Sequence, residues 1–535
     1  MRILLALLAL IASAASAQLG PLTPPAGPIS ETGPDLGQLE PRIPVTDKTT
    51  PGGAIGLFEI TRPGSYFLTG DLQMPGGDQR SAIAISTNDV TLDLNGFRLS
   101  GAGDSVHGIE VRGSRVRIRD GFIFRFGRDG INASPGSFNV SGIVVEDVMT
   151  QANNRSGIVV DHGRVARCRS IGNGGSGIVT GPSSVVESVE SSSNLGAGVE
   201  MSTDGVLRDS TASLNKAAGF SFAVNGVAAG SHAANNAGSG FDFALGGSAT
   251  DSTARGNGGR GFRVQDGEAA FESCVAEDNT LEGFLAAGPA SIRDCDAIDN
   301  EGDGISVGDG SSIESSRARW NSLDGFRING SASVVGCLAT ENFGDGYEFV
   351  EQFFFMTQRV ETSVARNNSG VGVRAEGFGV IVVTDSQTLG NGEGGFLLGD
   401  FATIERSTAS VNGRHGIAVG SYSTVRDNTA QRNGSVNSSE PVYADIFVAG
   451  VRSLVDGNSI VQNNNELSIW VTLGENTIIR NVLRPRSGAV EVDIAAGNRV
   501  GEFIRPASQP AISGAPVGQG QLFGVSGSYA NIVHP

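Results

Sequence analysis

Apolar positions in this chain recur on a ruler of 21 residues. Between residues 279 and 347 one phrase repeats: Asn279 with Gly283, Asn300 with Gly304, Asn321 with Gly325 and Asn342 with Gly346, each glycine followed by Phe, Ile or Tyr. The same ruler finds Gly157, Gly177, Gly198, Gly219, Gly240 and Gly261 upstream, and Gly372, Gly395 and Gly416 downstream. In all 13 cases an Asn stands four residues earlier, from Asn153 to Asn412. Self-similarity at a fixed period is the mark of an array of stacked units. Counted from the glycine, small or apolar residues fall at +1, +3, +9, +12 and +14, as in Ile292, Cys295 and Ala297 after Gly283. Spacings of two within short runs predict strands, three to a unit.

Helical solenoids have similar periods, but 78 glycines and segments rich in Ser, Asn and β-branched residues leave no long window of helix formers. The pattern predicts an all-β fold, a parallel β-helix of roughly 18–20 coils stacked about 4.8 Å apart. In that fold the column glycines are expected to serve turns of positive φ and close backbone approach. The Asn column, represented by Asn279, Asn300, Asn321 and Asn342, is expected to tolerate left-handed backbone and to bond amide to amide between coils, a structural role and not a catalytic one.

Composition sets the compartment and the partners. Residues 1–17 read as a signal peptide: Met1-Arg2, an apolar run from Ile3 to Ala12, then Ala15-Ser16-Ala17 before Gln18. That run is too short to span a membrane, and no later run is long enough. The chain is therefore expected to be secreted or periplasmic without membrane insertion. A net charge of −18 with only two lysines, Lys48 and Lys216, argues against nucleic acid. Cys168, Cys274, Cys295 and Cys337 share one inward column with serines, and are expected as buried thiols; a Cys274–Cys295 bridge is the minor alternative.

Along the chain, residues 18–54 read as a Pro- and Gly-rich linker and residues 55–502 as the β-helix. Its opening segment, Phe58 to Leu72, is expected to cap an open sheet end, and residues 503–535 read as a C-terminal cap and tail. The stretch Ala82 to Gly101, with Val90 to Phe97 reading VTLDLNGF, together with the Asn-x-x-x-Gly-Ile/Phe phrase, resembles the right-handed parallel β-helix proteins of the pectate-lyase-like superfamily. The resemblance covers about residues 55–500. It implies the fold strongly and an activity weakly, because members include polysaccharide lyases, hydrolases, epimerases, tailspikes and non-catalytic proteins.

The motifs by which catalytic members of that superfamily are known can be searched for. The Asn-Thr-Asp, Gly-His-Gly and Arg-Ile-Lys motifs of the hydrolases and the Asp-Pro-His motif of the epimerases do not occur, and Arg484-Pro485-Arg486 only partly matches the lyase pattern. The five histidines are scattered, and Asp161-His162 reads as an exposed turn. No cofactor is called for, with calcium the one ion left open by Gly-Asp-Gly turns such as those at Asp303 and Asp309. Outward residues two after the glycine include Glu200 and Asp242, a carboxylate pair two coils apart, and Arg327, Glu348 and Arg374, whose alternating sign predicts a surface ion-pair ladder. The reading that follows is a binding protein for polysaccharide or a cell-surface component, without catalysis; a lyase- or hydrolase-like enzyme with an unrecognised site is the alternative. Oligomeric state is left open.

Two insertions interrupt the array. Between Gly346 and Gly372 the interval is 26 residues and contains Phe353, Phe354 and Phe355; a second insertion, from Gly434 to Ala444, carries Tyr443. Three consecutive Phe cannot all face a core of period two. Phe353, Phe354, Phe355 and Tyr443 are therefore the candidate binding residues, with a loop folded back over the flank as the competing reading.

Overall fold

The computed structural model describes residues 42–134, 140–350, 356–377, 379–434, 443–461, 467–484, 492–501, 503–504 and 530–533. The chain divides into a unit of residues 1–43, of which 42 and 43 are described, and a unit of residues 44–535, which holds everything below. The described residues contain strands and no helix. Each coil contributes one strand to each of three parallel faces, giving about twenty coils. In one coil the three strands are Phe326–Asn329, Ala332–Val335 and Leu338–Thr340. Each pairs in parallel with its counterpart one repeat later, Phe326 with Tyr347, Val334 with Val360 and Ala339 with Ala365. The 21-residue period is thus the length of one turn of chain.

Side chains at the predicted inward positions form the core. Phe326, Ile328, Val334, Cys337 and Ala339 are all buried. At +1 the column stacks Phe220, Phe241, Phe262 and Phe284 with ring centroids 5.0, 4.7 and 4.9 Å apart, which matches the spacing between coils. Such pairs add about 0.5–1.5 kcal/mol each beyond their burial. All four cysteines are free and buried in the serine column, where Cys295 N–H donates to Ser316 Oγ at 3.2 Å. Burial pushes the Cys168 and Cys337 thiols up to about 12, so they behave as small apolar side chains.

The Asn column forms a continuous hydrogen-bonded chain at the corner between the third and first faces. Asn300 donates through both its N–H and Nδ2 to Asn321 Oδ1 at 3.1 and 3.0 Å, and Asn321 does the same to Asn342 Oδ1 at 3.1 and 2.9 Å. Asn279 bonds to Asn300 in the same way. From Asn194 to Asn433 each Nδ2 also donates to a main-chain carbonyl in the preceding coil, as from Asn321 to Ala297 at 3.2 Å.

Three expectations about this frame are corrected. The column glycines do not take positive φ; the other expectation for them, close backbone approach, holds, since a Cβ on Gly325 would lie 2.7 Å from Gly346 O and 2.8 Å from Asn342 Nδ2. The left-handed residue is not the ladder Asn but the one before it: Asp278, Asp299, Trp320 and Glu341 have φ of 59, 53, 59 and 57°. The corner bend is made one residue earlier, and the Asn is left free to aim its amide inward. Third, the segment Phe58 to Leu72 belongs to the first coil itself, since Gly56–Ile60, Gly64–Phe67 and Leu72–Gln73 all pair in parallel with the next coil. Residues 44–54 pack on that coil too: Val45 N–H donates to Phe67 O at 2.9 Å, and Val45 and Thr50 are buried.

Candidate functional site

Both insertions border the first face. Residues 351–355, which include Phe353, Phe354 and Phe355 and lie outside the described residues, join the first-face strand Tyr347–Val350 to the second-face strand Thr357–Glu361. Residues 435–442, also outside the described residues, join the corner at Asn433 to the first-face strand Ala444–Val448. One interruption follows a first-face strand and the other precedes one, so they attach at opposite edges of the same sheet. Spacing alone could not give this, because a period reports distance along the chain and not which of three corners absorbs the excess.

The outward column of the first face changes character along its length. Strand register aligns Arg327, Glu348, Arg374, Leu397, Ala418, Phe447 and Trp470 in successive coils. Over these coils the column passes from charged to apolar and aromatic, and Asp493 follows Trp470 in the next coil. At the aromatic end Phe447 and Trp470 are half-exposed, with ring centroids 4.8 Å apart. His415 stacks on Phe447 at 4.5 Å and 10°, and Tyr443 meets the His415 ring edge-on at 5.4 Å and 85°. Ala444 N–H donates to His415 Nδ1 at 3.0 Å, which leaves the ring proton on Nε2. Burial pulls His415 down to about 4, so the cluster is uncharged at neutral pH. Beside it runs an open trough of about 310 Å³, lined by Leu397, Ala418, Phe447, Glu376 and Asp400. Beyond Asp400 and Gly420, the rings of Phe401 and Tyr422 stack at 5.2 Å, both more than 40% exposed.

The charged end is a network of carboxylates and arginines. Arg327 reaches Asp324 Oδ2 at 3.3 Å and also pairs with Glu348. Arg374 pairs with Asp345 at 2.6 Å, Glu376 at 2.5 Å and Glu393 at 3.3 Å. The position just before the column glycine stacks Asp303, Asp324 and Asp345 along the corner: Asp324 N–H donates to Asp303 Oδ1 at 3.0 Å, and Asp345 N–H to Asp324 Oδ1 at 2.7 Å. Burial, then a hydrogen bond shared with Glu348, pushes Asp324 up to about 7; burial takes Asp303 to about 6. A carboxyl of that kind can exchange a proton near neutral pH. The three-residue alternation expected from the sequence is present only in part, because Arg374 turns toward Asp345 instead of continuing the series.

Other candidates are dispersed. Glu200 accepts from Ser176 Oγ at 3.1 Å, while Asp242, two coils away, is held by Arg263 at 2.9 Å. Asp161 and His162 stand 3.6 Å apart at an open turn. Of Arg484, Pro485 and Arg486 only Arg484 is described, at the end of a third-face strand. A larger groove, about 580 Å³, lies over the early coils beside Asp93, Asp120, Asp147 and Phe122, but Arg119 and Arg167 close on Asp93 and Asp147 at 2.9 and 2.7 Å. Among the described residues no three His, Cys, Asp or Glu side chains converge on a metal position. Also among them, no helix is long and apolar enough to cross a membrane.

With stacked coils and three parallel faces established, the chain can be set beside known proteins. The model of the right-handed beta helix region matches residues 162–291, 231–354 and 282–436, overlapping spans that run from 162 to 436. The chain belongs to this family. No curated protein matches it. Among solved structures it is similar to the mannuronan C-5 epimerase AlgE4 A-module of Azotobacter vinelandii, at 13% identity over 82% of this chain and 90% of that one, TM-score 0.21. It is similar also to pectate lyase Pel9A, at 14% identity over 66% and 72% of the two chains, TM-score 0.20. A third is the Dettilon tailspike protein, at 12% over 74% and 60%, TM-score 0.23.

His415, Phe447 and Trp470 escaped the sequence reading. Carrying the outward column past Arg374 would have reached Leu397 and Ala418, but the insertion at 435–442 displaces the ruler before Phe447 and Trp470.

Proposed function

We propose that this β-helix protein binds polysaccharide along its first face, without catalysis, as a secreted or periplasmic component. The observation that carries the reading is the half-exposed Phe447–Trp470 pair, backed by His415 and Tyr443 and bordering the open trough over Leu397 and Ala418. Flat aromatic rings offer a large apolar surface at low entropic cost, and a concave apolar surface edged by a few polar groups is the usual form of a ligand site. Phe353, Phe354 and Phe355, attached at the other edge of the same face, belong to the proposed site as well. The test is retardation of the protein in gels that contain polysaccharide. Wild type should be retarded, and Trp470→Ala and Phe447→Ala should migrate freely while melting as folded proteins; normal retardation of both variants would remove this face from binding.

A second reading, a polysaccharide lyase or hydrolase, is favoured by Asp324, whose carboxyl is pushed to about 7 beside Glu348 and Arg327. Release of reducing ends or unsaturated uronates that disappears in Asp324→Asn, with binding retained, would establish that reading in place of the first.

A further inference from the structure

The same face carries an indication of the ligand's charge. Between Arg260 and Arg414, five arginines stand on the first face or on the turn that leads into it, and each is already engaged. Arg260 pairs with Glu282 at 2.7 Å, Arg263 with Asp242 at 2.9 Å, Arg414 with Glu393 at 3.3 Å, and Arg327 and Arg374 hold the carboxylates described above. The acids are likewise occupied. Asp303 and Asp324 accept main-chain N–H groups, and Asp400, on the wall of the trough, accepts Ser421 N–H at 2.6 Å. A guanidinium that reads a uronate does so by presenting two parallel N–H donors to its carboxylate. Arg374, whose three nitrogens are all held, would have to release a carboxylate of its own to do that, and at the other arginines the incoming anion would meet the acid already paired there. The chain's net charge of −18 adds a repulsive field around the whole surface. Beside them the outward column is apolar over four successive coils, at Leu397, Ala418, Phe447 and Trp470, next to an imidazole that burial keeps neutral, before it reaches Asp493.

We infer that the polysaccharide taken by the first face is uncharged, held by stacking on Phe447 and Trp470, and that uronate polymers are excluded because its arginines are closed on their own carboxylates. This rests on the polysaccharide reading given above and specifies its substrate class. The arrangement is selective by subtraction, since ion pairs that are satisfied internally offer a charged ligand nothing in exchange for its lost hydration.

The experiment is affinity electrophoresis of the full chain through gels containing a neutral polymer (galactomannan, xyloglucan or mixed-linkage glucan) or a uronate polymer (sodium alginate or polygalacturonate), each at low and high salt. Retardation by a neutral polymer, unchanged by salt and lost in Trp470→Ala, is expected, with none by either uronate polymer. The counterpart variant is Glu393→Gln, which takes a carboxylate away from both Arg374 and Arg414 and should give retardation by polygalacturonate that salt abolishes. Wild-type retardation by alginate or polygalacturonate overturns the inference and leaves polysaccharide binding standing. Glu393→Gln that melts as wild type and gains nothing also overturns it, because closure would then not be what excludes uronates. Retardation by no polymer at all overturns the polysaccharide reading and this inference together.

Discussion

The coils from Gly157 to Gly346 and those from Gly372 to Ile494 share one architecture but treat their corners and their first face differently. In the earlier set the repeat stays close to 21 residues, one Asn column bonds the coils, and the outward first-face column ends in closed ion pairs such as Arg263–Asp242 and Arg327–Glu348. In the later set interruptions enter at the first-face edges, and the outward column turns to Leu397, Ala418, Phe447 and Trp470. The Asn column ends there too: Asn433 donates to Asp445 Oδ1 at 2.8 Å in place of a further Asn. Two other corners take over. Asn428, Asn458 and Asn481 bond in sequence to Asn531, and Ser453 leads through Asn476 to Asn498. At the corner that takes the second insertion the chain loses an Asn ladder position, and order is regained from the two other corners.

The largest effect expected separates inward from outward aromatics. Phe262→Ala removes a ring stacked between Phe241 and Phe284 and should cost about 3–5 kcal/mol in urea unfolding. Next is the ladder within the regular coils. Asn321→Ala leaves two donors of Asn300 without an acceptor, and should cost about 1–3 kcal/mol with glycan retardation intact. Unchanged melting with loss of binding would reverse the structural reading of that column.

A pH experiment probes the place where the ladder stops. Asp445 is buried and its carboxyl is pushed up to about 7 by that burial, while its Oδ2 has no hydrogen-bond partner among the described residues. An acid whose folded pKa is raised binds more protons folded than unfolded, so its stabilising contribution is complete below about 4 and lost as pH rises through about 7. Asp445→Asn should therefore raise the melting temperature at pH 8 and have less effect at pH 5. An equal change at both would show that this carboxyl does not titrate with folding.

The smallest effect on stability is expected at the aromatic end of the outward column. Trp470→Ala loses one half-exposed ring contact and should cost about 0.5–1.5 kcal/mol, as read by thermal melting. Its consequence for glycan binding should be loss of retardation, a weakening of tenfold or more, which corresponds to about 1.4 kcal/mol or more.

The repeat alone determined the coil, the three strands per coil and the inward columns, because period-two alternation and a fixed 21-residue interval are local properties that survive every context. It also displayed the Asn column as a column. It misassigned part of the reason at two of its positions: positive φ was expected at the column glycines beside the close approach that the structure shows at Gly325, and left-handed backbone was expected at the Asn instead of at the residue before it. Only the tertiary structure decided that two insertions some ninety residues apart border one sheet, that Tyr443, His415, Phe447 and Trp470 meet, and that Arg374 abandons its expected series for Asp345. Stacking turns distance along the chain into position along an axis, and every insertion shifts that conversion by an amount that depends on which corner receives it. The array was legible because it repeats, and the candidate site was not, because it is assembled where the repeat is broken.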